Sequence, residues 1–196
     1  MEKTLVIIKP DGVQRSLIGE VIGRYERCGL KLVGLKMLIC EEEMVQKHYT
    51  VDPEWIKKVG EKAIDSYQKK GLTPPNTDPI AVGNGVLERL KKYITSGPVV
   101  AMVWQGAGAV GLVRKLTGGT EPLSSDVGSI RGDYTLDSYQ LADTDDRAIR
   151  NIIHASGSVA EAEGEIKLWF KDEELLQYRL IAEQIIYDVN LDGILE

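Results

Sequence analysis

Hydrophobic and polar positions along this chain switch repeatedly between a period near two and a period near three and a half. TLVIIKP (4–10) is a continuous apolar run stopped by Pro10, the pattern of a buried strand, and PDG makes a turn after it. From Ser16 onward Ile18, Val21, Ile22, Tyr25 and Cys28 recur at helical spacing, and Gly29 suits the helix end. KLVGLKMLIC (31–40) alternates, with Val33, Leu35, Met37 and Ile39 on one side, and predicts a strand. EEEMVQKHY (41–49) reads as a short polar helix. Residues 50–85 are less regular: DPEW marks a helix start, IKKVGEKAIDSYQKKG has a helical pattern, and LTPPNTDP is a loop. GVLERLKKYITSG (85–97) predicts an amphipathic helix, PVVAMVWQ (98–105) a strand and AGAVGLVRKLTG (107–118) a short helix. A loop rich in Gly, Ser, Thr and Asp (118–133) and an irregular polar stretch (137–150) lead to the apolar pair Ile152–Ile153, a short strand. SVAEAEGEIKLWF (158–170) predicts a helix with Val159, Ala162, Ile166 and Trp169 on one stripe. EELLQYRLIAEQIIYDVN (173–190) predicts another, packed on the body or on a neighbouring subunit.

This order lacks consecutive parallel strand–helix repeats. It predicts an α+β sandwich with an antiparallel sheet and helices on one face. The 196 residues favour one domain, with no internal repeat and no clean linker. A chain of this size buries roughly 70% of its unfolded surface and needs no disulfide or metal staple.

Charge narrows the function. A net charge of −6 argues against general binding to DNA or RNA, which needs clustered excess cation. It leaves room for a local cationic pocket suited to a phosphorylated metabolite. Cys28 and Cys40 are too few for a disulfide framework and read as buried free thiols. The amino-terminal apolar run, Leu5 to Ile8, is neither a signal-peptide core nor a membrane span, so a cytoplasmic protein is expected.

GAGAVG (106–111) satisfies the dinucleotide-binding pattern G-x-G-x-x-G, but it lies in mid-chain and is followed by a polar loop. It therefore reads as a tight strand-to-helix turn, and a nicotinamide-dependent enzyme is the weakest of the alternatives. No phosphate-binding loop of the G-x-x-x-x-G-K-[ST] type is present.

The candidate chemistry lies in scattered residues. Lys9 ends the first strand, Arg114 sits on the short helix, Thr120 lies in GGTEP and Arg131 in IRGD. Together they suggest a phosphate site, since guanidinium groups bind phosphate oxygens bidentately, lysine adds a point charge and hydroxyls add neutral donors. Asn151 stands three residues before His154 and can reach the same pocket. His154 lies in RNIIHASGSV, where small residues leave space beside the ring. A neutral imidazole suits phosphoryl capture on one nitrogen, provided a hydrogen bond orients the other. Ser156 and Glu165 are candidates for that orientation. His48, on a polar helix with no acid partner suggested, reads as structural.

KTLVIIKPDGVQRSLIGEVIGRYE, SGPVVAMVWQG, VRKLTGGTEP, GSIRGDY and RNIIHASGSVAEAEGEIKLWF resemble, in that order, the nucleoside diphosphate kinase family. The resemblance runs from Lys3 to Phe170. It implies a ferredoxin-like α/β sandwich, a four-stranded antiparallel sheet with helices, usually assembled as a homo-oligomer (hexamer or tetramer). It also implies a ping-pong exchange in which His154 takes the γ-phosphoryl group of a nucleoside triphosphate and passes it to a diphosphate. Carried over residue by residue, Lys9, Arg114, Thr120, Arg131 and Asn151 contact the nucleotide. Tyr49 lies beside the catalytic ring, and Ser156 and Glu165 support it. Mg2+ is expected on the substrate phosphates rather than in a protein cage.

The chain departs from the family in four places. HASG replaces the usual H-G-S-D, so Ala155 stands for a glycine and Gly157 for an acid. The phenylalanine that stacks on the base has no counterpart, leaving Trp55 or Tyr67 as platforms. Two segments, around 50–85 and 135–150, are longer than usual and predict a helical insertion that caps the base or alters subunit contacts. These departures leave a catalytically impaired nucleotide-binding regulator as the runner-up.

Overall fold

The computed structural model describes residues 1–69, 71 and 73–187. Four strands form one sheet: β1 (Glu2–Ile8), β2 (Lys31–Ile39), β3 (Pro98–Gly106) and β4 (Ile153–Ala155), in the order β2-β3-β1-β4. Every pairing is antiparallel, with Leu5 opposite Val103 and Ile7 opposite His154. That pairing removes the parallel strand–helix–strand unit a dinucleotide site needs, so GAGAVG is a turn.

Both faces of the sheet are covered, not one. Val6 and Ile8 point into a cluster completed by Val21 and Tyr25 of α2 (Ile18–Glu26), Val113 of α6 (Ala109–Thr117) and Ile130 of α7 (Ile130–Tyr134). Leu5 and Ile7 point the other way, toward Val45 of α3 (Glu42–Tyr49), Ile94 of α5 (Pro79–Ile94) and Trp169 of α9 (Val159–Trp169). A strand buried on both sides has no polar face to alternate with, which is why 5–8 reads as a continuous apolar run.

The expected single-sided stripe of β2 breaks at a β-bulge between Leu32 and Gly34. Val33 is buried, whereas Leu35, Met37 and Ile39 are exposed. One extra residue reverses the phase of every side chain after it.

The short α1 (Pro10–Gln14) replaces the simple PDG turn. The helix expected from residue 85 starts earlier, at Pro79, where the Asp78 carboxylate caps Ile80 N–H at 3.0 Å. It packs on α4 (Trp55–Lys69) backbone to backbone. A Cβ on Gly60 would lie 1.9 Å from the Pro79 carbonyl oxygen, and one on Gly83 2.0 Å from that of Ile56. The polar stretch 137–150 contains α8 (Tyr139–Thr144), capped by Ser138.

Three further expectations are corrected. Val159 is exposed, and the inward stripe of α9 runs through Ala162, Glu165, Ile166 and Trp169. The tail is not one helix: Leu176 N–H bonds the Val33 carbonyl at 2.8 Å and the Tyr178 hydroxyl bonds that of Leu32 at 2.6 Å, before the single turn α10 (Glu183–Ile186). Sheet-edge partners thus replace helical ones, and residues 188–190 of that expectation lie outside the described residues. Cys40 is buried as expected, but Cys28 is exposed. Among the described residues no helix is long and apolar enough to cross a membrane.

Candidate active site

His154 is the middle residue of β4, between the buried Ile153 and Ala155, and its side chain keeps 16% of its surface exposed. The backbone entering this strand is unusual. Ile152 has φ of +55°, a left-handed conformation that a β-branched residue adopts only under constraint, at a cost of order 1–3 kcal/mol. The constraint is visible: Lys9 N–H donates to the Ile152 carbonyl at 2.8 Å, and Ile152 N–H to Asp11 Oδ2 at 3.2 Å. Ala155 keeps the strand regular after the histidine, opposite Val6.

One nitrogen of the ring is committed. His154 Nε2 lies 2.9 Å from Glu165 Oε1, though the ring is not aligned for a linear hydrogen bond. Such contacts commonly tighten only when substrate is present. Glu165, buried on α9, receives the Ser156 hydroxyl on Oε2 at 2.6 Å, and Ser156 Oγ accepts Leu5 N–H at 3.2 Å. The carboxylate is thus tied through Ser156 to β1. Burial pushes its pKa up, and His48 and the Ser156 bond oppose this. With Nε2 turned to Glu165, Nδ1 is the nitrogen left to act on a substrate.

His48 joins this group. It is buried, its Nδ1 accepts Trp169 Nε1–H at 3.2 Å and lies 3.5 Å from Glu165 Oε1, and its ring meets that of His154 edge-on at 4.4 Å. A structural reading of His48 therefore understates it. Its partners come from α9, and only the adjacent Tyr49, in KHY, signals the association in sequence. Tyr49 lies between His48, met edge-on at 4.8 Å, and Trp55, tilted against it at 5.2 Å.

The cations sit on the other side. Buried Lys9 donates from Nζ to Asn151 Oδ1 at 2.7 Å, and Asn151 Nδ2 donates to the Thr120 carbonyl at 2.8 Å. The Tyr93 ring lies 5.3 Å from Lys9 Nζ, and its hydroxyl donates to Asp11 Oδ1 at 2.6 Å. Tyr93 and Asp11 are site residues that the sequence analysis did not single out. Arg131 is buried, and its guanidinium reaches the carbonyls of Gly118, Gly119, Asn151 and Ile153. Arg114 is exposed, and its side chain makes no hydrogen bond or ion pair among the described residues.

Electrostatics tie these groups together. Burial first, then Lys9, Arg131 and Arg114, push the His154 pKa down to about 3, and Glu161 opposes them. All three cations sit beside the strand that carries the ring: Lys9 Nζ bonds Asn151, Arg131 Nη2 bonds the Ile153 carbonyl, and Arg114 Nη1 lies 3.8 Å from where a Cβ on residue 157 would stand. Burial and then Arg131 bring Lys9 down to about 7, with Asp11 opposing. Arg131 falls to about 10, from burial and Arg114. His154 is therefore neutral at pH 7, and its Nδ1 keeps a lone pair that no hydrogen bond engages among the described residues.

His48, His154 and Glu165 form the one group of three possible metal ligands among the described residues. It does not suit Mg2+, which takes oxygen ligands, and its atoms are already engaged by Trp169 and Ser156. Asp11, the acid beside Lys9, is occupied by Tyr93 and Ile152. The pocket fits Mg2+ only as a passenger on phosphates that Lys9, Arg114 and Arg131 can receive.

The family model described as nucleoside diphosphate kinase matches residues 2–68 and 81–175. A nucleoside diphosphate kinase of Pyrobaculum aerophilum is 46% identical over 181 residues, covering 90% of this chain and 99% of that protein. Nucleoside diphosphate kinase A of Mus musculus is 41% identical, covering 95% and 97%. The crystal structure of the Pyrobaculum NDP kinase superposes with a TM-score of 0.86 over the same share of both chains. A Borrelia burgdorferi nucleoside-diphosphate kinase, solved as a transition-state mimic with vanadate and ADP, gives a TM-score of 0.77 at 38% identity, covering 94% and 95%. Taken with a histidine held at Glu165 on a strand flanked by Lys9, Arg114 and Arg131, these likenesses place the chain in the nucleoside diphosphate kinase family.

Proposed function

We propose that His154 carries the phosphoryl group in a two-step exchange between nucleoside tri- and diphosphates. The lone pair on Nδ1 attacks the γ-phosphorus, the bond to the bridging oxygen breaks, and the nucleoside diphosphate leaves with that electron pair. A second nucleoside diphosphate then attacks phosphohistidine through a terminal oxygen, and the P–N bond electrons return to the ring. The proton on Nε2 stays beside Glu165 throughout and balances the charge on the phosphorylated ring. Ser156 fixes the carboxylate, and His48, itself packed against Tyr49, borders the ring. Lys9, Arg114, Arg131, Thr120 and Asn151 hold the phosphates and sugar. Mg2+ arriving with the nucleotide would neutralise further phosphate charge.

The placement of Lys9, Arg131 and Arg114 against residues 151, 153 and 157, on either side of a histidine with Nε2 held at Glu165, carries this reading. Incubation with γ-labelled ATP and Mg2+ tests it: acid-labile, base-stable label is expected on His154, and folded protein that takes up no label refutes it.

Two further outcomes follow from the pocket. Arg114→Ala is expected to weaken transition-state binding by about 1.5–3 kcal/mol, roughly 10- to 150-fold in kcat/KM, with unfolding temperature unchanged. Wild-type kcat/KM would remove Arg114 from the site. Lys9, at about 7, is largely neutral at pH 8, and a phosphate beside it raises its pKa again. ADP binding at pH 8 is therefore expected to take up a proton. Titration calorimetry in buffers of different ionisation enthalpy measures this, and the uptake should vanish in Lys9→Gln.

We read the chain as one catalytic domain with insertions around 50–85 and 135–150. The family model skips 69–80, within the first of these. Arg89 of α5, just after the first segment, meets Asp146 of the second at 3.0 Å. Trp55, packed at 5.2 Å against Tyr49, is the better base platform. Tyr67 lies twelve residues along α4, roughly 18 Å away. Exposed Leu35, Met37 and Ile39 on edge strand β2 support self-association.

A further inference from the structure

Gly157 has lost the acid of the usual pattern, but a carboxylate stands in its place. Glu161 lies in the first turn of α9, where its N–H donates to the capping Ser158 Oγ at 3.2 Å. Its side chain turns back past that cap, and Gly157 N–H donates to Glu161 Oε2 at 3.0 Å. A Cβ on residue 157 would lie 2.5 Å from that same oxygen and 3.8 Å from Arg114 Nη1. The Glu161 oxygen thus occupies space that a side chain at 157 would need, on the wall it shares with the Arg114 guanidinium. The two do not form an ion pair at contact distance, so Arg114 stays free for phosphate. A side chain at 157 would push this carboxylate aside, so glycine at 157 and the inward turn of Glu161 go together.

We infer that Glu161 is a positioning residue that supplies, from one turn along α9, the carboxylate usually carried at residue 157, biasing both Arg114 and His154. The inference rests on the phosphohistidine reading above. The groups acting on His154 are Lys9 after β1, His48 on α3, Arg114 on α6, Arg131 on α7, and Glu161 and Glu165 on α9. Among them Lys9, Arg114 and Arg131 withdraw basicity from the ring, and Glu161 restores part of it. The same negative charge opposes a bound phosphate. Removing it has two opposite consequences: nucleotide binds more tightly, and the ring becomes a poorer nucleophile. A carboxylate that merely caps the helix produces neither, since losing a cap loosens the first turn and weakens binding.

The test compares Glu161→Gln with the unaltered protein in two measurements, ADP dissociation constant and single-turnover phosphorylation of His154 by ATP. ADP is expected to bind about three- to tenfold more tightly, and phosphorylation to slow by a similar factor. The double variant Gly157→Asp with Glu161→Ala moves the acid back to residue 157 and is expected to return both values toward those of the unaltered protein. Unchanged or weaker ADP binding in Glu161→Gln overturns the inference, as does a double variant no closer to the unaltered protein than Glu161→Ala alone. If the unaltered protein takes up no label on His154, the phosphohistidine reading fails first.

Discussion

Replacing His154 by alanine is expected to lower turnover by at least about a thousandfold, some 4 kcal/mol of barrier at 1.36 kcal/mol per tenfold, while ADP binding stays within about threefold. No neighbour can take over. His48 is buried and its Nδ1 already accepts the Trp169 N–H. The Tyr49 phenol has its pKa pushed up by burial and by the Glu165 charge, so it stays protonated and a poor nucleophile. Binding survives because Lys9, Arg114, Arg131 and Asn151 are untouched. The fold survives too, since the ring is partly exposed and Glu165 keeps its Ser156 bond. The measurements are coupled-assay turnover, ADP titration and thermal unfolding on one preparation. Turnover above about a tenth of the unaltered protein's, with ADP bound normally, would move the phosphoryl acceptor to another group.

Much of this was legible in the chain, for identifiable reasons. The first strand shows as an apolar run because both its faces are buried, and His154 shows because small residues surround it. Lys9, Asn151 and the arginines stand out as a phosphate-binding set by their chemistry, and the family resemblance assigns their individual roles, since nothing in their spacing brings them together. What stayed hidden depends on contacts distant in sequence or on single-residue shifts. Trp169, which accounts for His48, stands 121 residues away. The bulge at Leu32–Gly34 turns Leu35, Met37 and Ile39 outward without altering their alternation. Gly60 and Gly83 look like poor helix residues until the two helices are seen to cross backbone to backbone. The tail has a helical pattern but finds hydrogen-bond partners on the edge of β2.

Arg131 will separate from Arg114 when both are replaced by alanine. Carried over from the family, both arginines have the same duty, yet the structure gives them different ones. A guanidinium has five N–H donors, and Arg131 spends four on backbone carbonyls: Nε on Asn151, Nη1 on Gly118 and Gly119, and Nη2 on Ile153. One donor remains for a phosphate. The side chain therefore fastens the loop carrying Thr120 to the strand carrying His154, in a buried position where an unpaired carbonyl costs about 1–3 kcal/mol. Arg131→Ala is expected to destabilise the fold by about 3–5 kcal/mol, lowering the unfolding midpoint by roughly 10 °C, and to abolish measurable phosphorylation. Arg131→Lys restores the charge but offers three donors and no planar fork, so it should recover only part of the stability. Arg114→Ala should leave the midpoint unmoved. If Arg131→Ala unfolds at the same temperature as the unaltered protein and loses only nucleotide affinity, the four carbonyl bonds do not hold the site together. Arg131 would then be a phosphate ligand like Arg114, and the strained entry to β4 at Ile152 would owe its geometry to Lys9 and Asp11 instead.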